Sequence, residues 1–200
     1  MKHITIIAAI AASLIAISCN KIEDPATESA KEAYIDATSK TTWTYFSLSK
    51  GETVGTGEET AADNAAWASR TDWDLAICRY NVRTNSGTST TAGAKGGIYT
   101  SALTFDTLNE VPSGAVFETD KIISSTGMSG ETSVSESTAT VISFQTNADG
   151  SKVMPPVYLK APVYILRTAD GSSFYKVEFT QYQDENKTTG QVKFNFARIK

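Results

Sequence analysis
The side chains able to do metal or nucleophile chemistry are few enough to name. The chain has one histidine, His3, two cysteines, Cys19 and Cys78, and three methionines, Met1, Met128 and Met154. No phosphate-cradling Gly-x4-Gly-Lys-Ser/Thr loop occurs. Acid pairs exist, such as Asp72 and Asp74, but nothing singles out two carboxylates at the separation a glycosidase needs. Asp74, directly after Trp73, suits a structural hydrogen bond better. Met128 lies in Ser124-Ser125-Thr126-Gly127-Met128-Ser129-Gly130, a small-residue segment that reads as loop. Met154 lies in Lys152-Val153-Met154-Pro155-Pro156, where the prolines restrict the backbone. Neither methionine sits inside an apolar strand pattern, the setting in which methionine fills core gaps.

The N-terminus decides which of these groups persist. Lys2 is followed by an apolar run from Ile4 to Ile17, broken only by Thr5 and Ser13. About 14 residues are too few for a membrane-spanning helix, which takes about 20. One early positive charge, a short apolar core and a small-residue exit form a secretory signal layout over residues 1–18. The exit Ala16-Ile17-Ser18-Cys19 resembles a bacterial lipobox, in which the cysteine is acylated and becomes the first residue. The following Asn20-Lys21-Ile22-Glu23-Asp24 resembles surface-export signals of some Gram-negative lipoproteins. Two or more acyl chains on Cys19 anchor a protein stably in a lipid bilayer. The expected address is the outer membrane, lipid-anchored and exposed at the cell surface.

Cleavage before Cys19 discards His3. A Ser-His-Asp hydrolase, a His-ligated zinc site and a His-ligated haem are then excluded. Cys78 loses its only disulfide partner and reads as a buried, inert thiol. The loss of Lys2, with no acid removed, moves the formal charge from −4 to −5. An acidic chain with scattered lysines argues against nucleic acid as partner.

Residues 19–40 read as a lipidated tether, with a short helix around Glu28 to Ala37, and residues 41–200 as one β-domain. Strands are predicted at Thr42–Leu48, Trp73–Val82, Gly97–Thr104, Ala139–Gln145, Val157–Arg167, Phe174–Tyr182 and Gln191–Ile199, on aromatic and β-branched content with alternation. In the second, Trp73, Leu75 and Ile77 should share one face, and Asp74, Ala76, Cys78 and Tyr80 the other. Residues 51–66 and 85–97 read as loops. Asn147–Gly150 and Ala169–Gly171 read as turns, and 183–190 as the loop of a closing hairpin. The class is all-β, a single domain of many short antiparallel strands in a barrel or sandwich.

An ordered set of segments resembles the HmuY family of haem-binding envelope lipoproteins. It comprises Trp43 to Gly51, Asp72 to Tyr80, Thr84 to Gly87, Gly96-Gly97-Ile98-Tyr99, then Phe174 to Thr180 followed by Val192 to Phe196, and spans roughly residues 40–200. The resemblance implies an HmuY-like fold with haem (haem b) held at one end between loops by two axial ligands, a histidine pair in the founding type and methionines in other members. After cleavage this chain can offer only Met128 and Met154. The resemblance also implies haem capture outside the cell and delivery to a TonB-dependent outer-membrane haem receptor, and no enzymatic activity. Tyr99, Phe105, Phe117 and Tyr158 are candidate pocket walls, and Lys121 and Lys152 candidate partners of the propionates. The competing reading is a lipid-anchored β-sandwich that binds glycans or a surface protein.

Overall fold
The computed structural model describes residues 28–127 and 130–200. Residues 1–18, Cys19 and Met128 therefore lie outside the described residues. The all-β expectation holds: among the described residues, nine strands assemble into two facing antiparallel sheets, and the other four form two separate two-stranded pairs. The first sheet has the order β1 (Lys31–Asp36), β13 (Thr189–Ile199), β12 (Phe174–Gln183), β11 (Val163–Arg167), β6 (Gly97–Ser101). The second has the order β3 (Glu52–Glu58), β2 (Thr42–Ser47), β4 (Leu75–Cys78), β5 (Asn81–Thr84).

Alternation explains the layers. Val192, Phe194 and Phe196 of β13, Tyr175, Val177 and Phe179 of β12, and Tyr164 and Leu166 of β11 point inward. They meet Phe46, Leu75, Ile77 and Val82 of the second sheet. Some intervening residues, such as Val163 and Ile165 of β11 and Tyr45 and Ala76 of the second sheet, are also buried, because part of each outer face is covered. On the first sheet, Phe105 and Leu108 pack on Val163, Ile165, Ala197 and Ile199. Lys176 crosses that face and donates to the Phe105 carbonyl at 2.7 Å. On the second sheet, Trp43, Tyr45, Ala76 and Cys78 pack with Trp67 of α1 (Ala61–Ala68) and with Trp73.

Several expectations are corrected. Residues 31–36 form a strand, not part of a helical tether: β1 pairs with β13 from Lys31↔Phe196 to Asp36↔Gln191, and Ile35 is buried in the core. Burial of Ile35 outweighs the local helix preference of a Glu-, Lys- and Ala-rich segment. Residues 51–66, expected as loop, contain β3 and the start of α1. Gly55 and Gly57 look like loop residues, yet they are strand residues facing Trp67: a Cβ on Gly57 would lie 2.5 Å from the indole Nε1. Thr60 caps α1 by accepting the Asp63 N–H at 3.2 Å.

The single strand expected at Trp73–Val82 is two strands turning at Arg79, which has φ of 57°. Its guanidinium donates to the carbonyls of Thr38 and Thr189 and so secures the turn. Trp73 precedes β4 and packs with Ala76 and Cys78, not with Leu75 and Ile77. The strand expected at Val157–Arg167 is divided at Ala161-Pro162 into β10 (Tyr158–Lys160) and β11, because proline cannot donate to a ladder. Residues 124–127 and 130, expected as loop, belong to a hairpin of β7 (Lys121–Gly127) and β8 (Gly130–Glu136). Its Ser and Thr residues pair across the ladder, Ser124 with Ser133 at 2.7 Å and Ser125 with Thr132 at 2.9 Å. With hydroxyls on both faces, no apolar alternation advertises these strands.

Asp74 makes the structural bonds expected of it. Its carboxylate accepts the Leu48 N–H and the Ala169 N–H, both at 2.8 Å, and joins the second sheet to the β11–β12 turn. Asp74→Asn keeps the shape but turns an NH2 toward one of those donors. The N–H left without an acceptor should cost about 1–3 kcal/mol, seen as a lower urea midpoint at unchanged m.

Candidate functional site
Two hairpins leave the second sheet near β5. The first is β7–β8. The Ser137 N–H bonds to the Val82 carbonyl, and the ladder from Ser124 to Thr126 is exposed. Met128, a candidate ligand, follows Gly127 in the sequence and lies outside the described residues. The second hairpin starts as β9 (Ile142–Phe144) pairs with β10. It extends through a Thr146↔Lys152 bridge and turns at Asn147–Gly150, as expected. Met154 lies on its return arm with 76% of its surface exposed. Val157 and Leu159, on the same arm, are also exposed. Such a row of solvated apolar side chains suits a surface that is covered by a ligand.

The root of this second hairpin is an aromatic cluster. Tyr80 meets Phe144 edge to face at 5.1 Å, Phe144 meets Tyr158 at 5.7 Å, and Tyr158 meets Tyr182 at 5.2 Å. Lys152 lies over the Phe144 ring with its Nζ 3.8 Å from the centroid. Beside the cluster is a cavity of about 440 Å³ lined by Ile142, Tyr158, Leu159, Lys160 and Tyr182. Sequence reasoning found Tyr158 and Lys152 but missed Tyr80, Phe144 and Tyr182. They come from three separate segments, and only the cross-strand pair Tyr158↔Phe144 has a trace in local alternation.

The other proposed walls are elsewhere. Tyr99, Phe105 and Phe117 belong to the layer covering the outer face of the first sheet, where Phe117 packs 5.4 Å from Phe174. Phe105 is buried there, with Tyr99 and Phe117 half-buried in the same layer, which corrects their grouping with Tyr158. Lys121 is exposed at the root of the first hairpin, opposite Glu136.

Beneath the first hairpin lies a polar cavity of about 240 Å³ lined by Tyr45, Glu59, Trp67, Arg83, Ile122 and Ser135. Arg83 is its hub. It donates to the Ser135 carbonyl at 2.8 Å, to the Tyr45 hydroxyl at 3.0 Å, to Asn64 Oδ1 at 3.1 Å and to Glu59 at 3.2 Å. Its guanidinium also stacks on Trp43 at 4.0 Å. Burial pushes the Asp120 carboxyl up to about 6 and that of Glu136 up to about 7. Cys78 is buried as expected, and burial pushes its thiol up to about 11, so it stays protonated and unreactive.

The donor set can be tested against an iron porphyrin. The described residues include no histidine, and no group of three or more His, Cys, Asp or Glu among them could hold a metal ion. A hard-ligand cation site is thus not built here. An exposed thioether on the same hairpin as an aromatic cluster and a lysine is compatible with a flat apolar ring bearing carboxylates. No helix among the described residues is long and apolar enough to cross a membrane.

Comparison with known proteins gives a consistent outcome. A family model described as HmuY protein matches residues 39–196. No curated protein matches the chain. Among solved structures, the apo HmuY analog of Tannerella forsythia is 23% identical with a TM-score of 0.59, covering 88% of this chain and 100% of that one. A candidate HmuY-like heme binding protein from Bacteroides vulgatus is 19% identical with a TM-score of 0.58, covering 84% and 90%. A candidate lipoprotein from Bacteroides fragilis is 21% identical with a TM-score of 0.58, covering 84% and 88%. At these identities the structural likenesses establish the fold.

Proposed function
The chain belongs to the HmuY family, and from that premise we propose that it is a lipid-anchored haem carrier whose iron ligands are Met128 and Met154. It captures haem b at the cell surface and passes it to a TonB-dependent outer-membrane receptor, held to the membrane by acyl chains on Cys19. The observation that carries the reading is the placement of Met154: exposed, on the hairpin arm that leads into β10, whose Tyr158 belongs to the Tyr80–Phe144–Tyr158–Tyr182 cluster. Met128 is the remaining thioether after residue 18.

The haem supplies a redox-active iron and two propionates. The chain supplies two soft neutral sulfurs, aromatic rings for the porphyrin face, and Lys152 or Lys160 for carboxylates. Axial methionine raises the haem potential, so the ferrous form binds better than it would to a histidine pair. Thioethers do not titrate, so mild acid does not release haem by protonating its ligands. A binding protein, not a catalyst, is what this arrangement supports.

The test is a haemin titration of the purified protein with dithionite. The native chain should give a saturable Soret shift. Met128→Ala with Met154→Ala should weaken binding at least about tenfold, about 1.4 kcal/mol, and change the spectrum. An unchanged spectrum in the double variant would reject methionine ligation; no Soret shift in the native chain would reject haem binding.

A further inference from the structure
The root of the first hairpin holds more acid than base. Three carboxylates gather about Arg83: Glu59 from the segment before α1, Asp120 from the segment before β7, and Glu136 at the end of β8. Two of them are fully occupied. Glu59 accepts from Trp43 Nε1, from Asn64 Nδ2 at 2.6 Å and from Arg83 at 3.2 Å. Asp120 accepts the Thr84 N–H at 2.9 Å and the Thr84 and Ser89 hydroxyls at 2.6 Å each. Glu136 is not: its Oε2 is shut off from solvent and has no hydrogen-bond partner. Arg83, the cation whose charge acts on it, already serves four acceptors on other residues. Lys121 is the register partner of Glu136 across the ladder, but its side chain is exposed. The remaining titratable neighbour is Cys78, which stays neutral through the physiological range.

A buried oxygen without a partner is least costly when its carboxyl is neutral. We propose that the β7–β8 hairpin is a proton-controlled latch, in which a proton on Glu136 keeps the root packed against Arg83 and its loss frees the hairpin to open.

The sign follows from linkage. The packed form holds its proton up to about pH 7, whereas an open, solvated Glu136 releases it near its ordinary value of 4.5. Opening therefore takes up no proton and releases one between those limits. The opening constant rises by up to about tenfold per pH unit from 4.5 to 7 and levels off above 7. Asp120, raised to about 6, acts in the same direction. Through the proposed function, and only for its consequence, this means that the arm bearing Met128 is held in mild acid and loosens toward neutral pH.

Amide hydrogen exchange on the haem-free full chain between pH 5 and 8 tests the latch, with the β12–β13 amides as internal reference. Protection of β7–β8 relative to that reference should fall at least about tenfold from pH 5 to 7 and then stay level. Glu136→Gln should keep the hairpin protected throughout, and Asp149→Asn, which alters an exposed acid, should behave as the native chain. A flat native profile overturns the proposal whether or not the variant folds, and so does an equal fall in Glu136→Gln. No haem is used, so a failed haemin titration leaves this result standing.

Discussion
Replacing Arg83 by methionine should destabilise the protein by about 3–5 kcal/mol, the range for removing one partner from a buried ion pair. Methionine restores much of the volume but none of the donors. The Ser135 carbonyl, the Tyr45 hydroxyl, Asn64 Oδ1 and Glu59 each lose a bond. The carboxylates around residue 83 would lose their cation, and the proton affinities of Asp120 and Glu136 should rise further, because Arg83 lowers both. Arg83→Lys should recover little, since one ammonium cannot span the fork of acceptors and the Trp43 face. Thermal unfolding checks this: at about 2–4 °C per kcal/mol for a chain of this size, the midpoint should fall by roughly 10 °C. A fall no greater than that of an exposed Arg70 variant would mean that the hub is dispensable.

Phe194→Ala should cost a similar amount, about 3–5 kcal/mol, for a different reason. Phe194 is fully buried on β13 between the sheets. It meets Phe46 edge to face at 5.2 Å, Phe179 at 5.8 Å and Phe196 at 5.8 Å. Truncation removes ring burial and leaves a cavity between two paired sheets that cannot close on it. Leu159 provides the contrast. It is 45% exposed beside the second hairpin's cavity, and Leu159→Ala should stay within about 0.5 kcal/mol. Chemical unfolding of the two variants side by side separates residues that hold the fold from residues available to a ligand.

Strands with one apolar face are legible in the residue pattern alone. Phe174–Tyr182 and Gln191–Ile199 alternate cleanly because one side of each meets the core, and their hairpin forms where expected. Less is legible where a segment is buried on both faces or on neither. Ser and Thr line both sides of β7–β8, so period-two hydrophobicity is absent there. Gly55 and Gly57 suggest a loop, and only the indole of Trp67 lying against β3 accounts for them. Lys31–Asp36 carries one deeply buried residue, Ile35, and owes its conformation to β13, which lies far along the chain.

The amino-acid sequence sets the inventory of chemistry: an export-signal pattern that contains the sole histidine, one cysteine at its exit, and two methionines beyond it. It also determined the all-β class, since alternation is a local property of each strand. Tertiary structure decided position. It separated Tyr99, Phe105 and Phe117 from Tyr158, gathered Tyr80, Phe144 and Tyr182 around it, and left Met154 in solvent on the arm leading into β10. It also left one carboxylate oxygen of Glu136 without a partner at the hairpin root. Those outcomes depend on which distant strands pair and which faces they cover, and such long-range contacts leave no mark on the spacing of residues within any one segment.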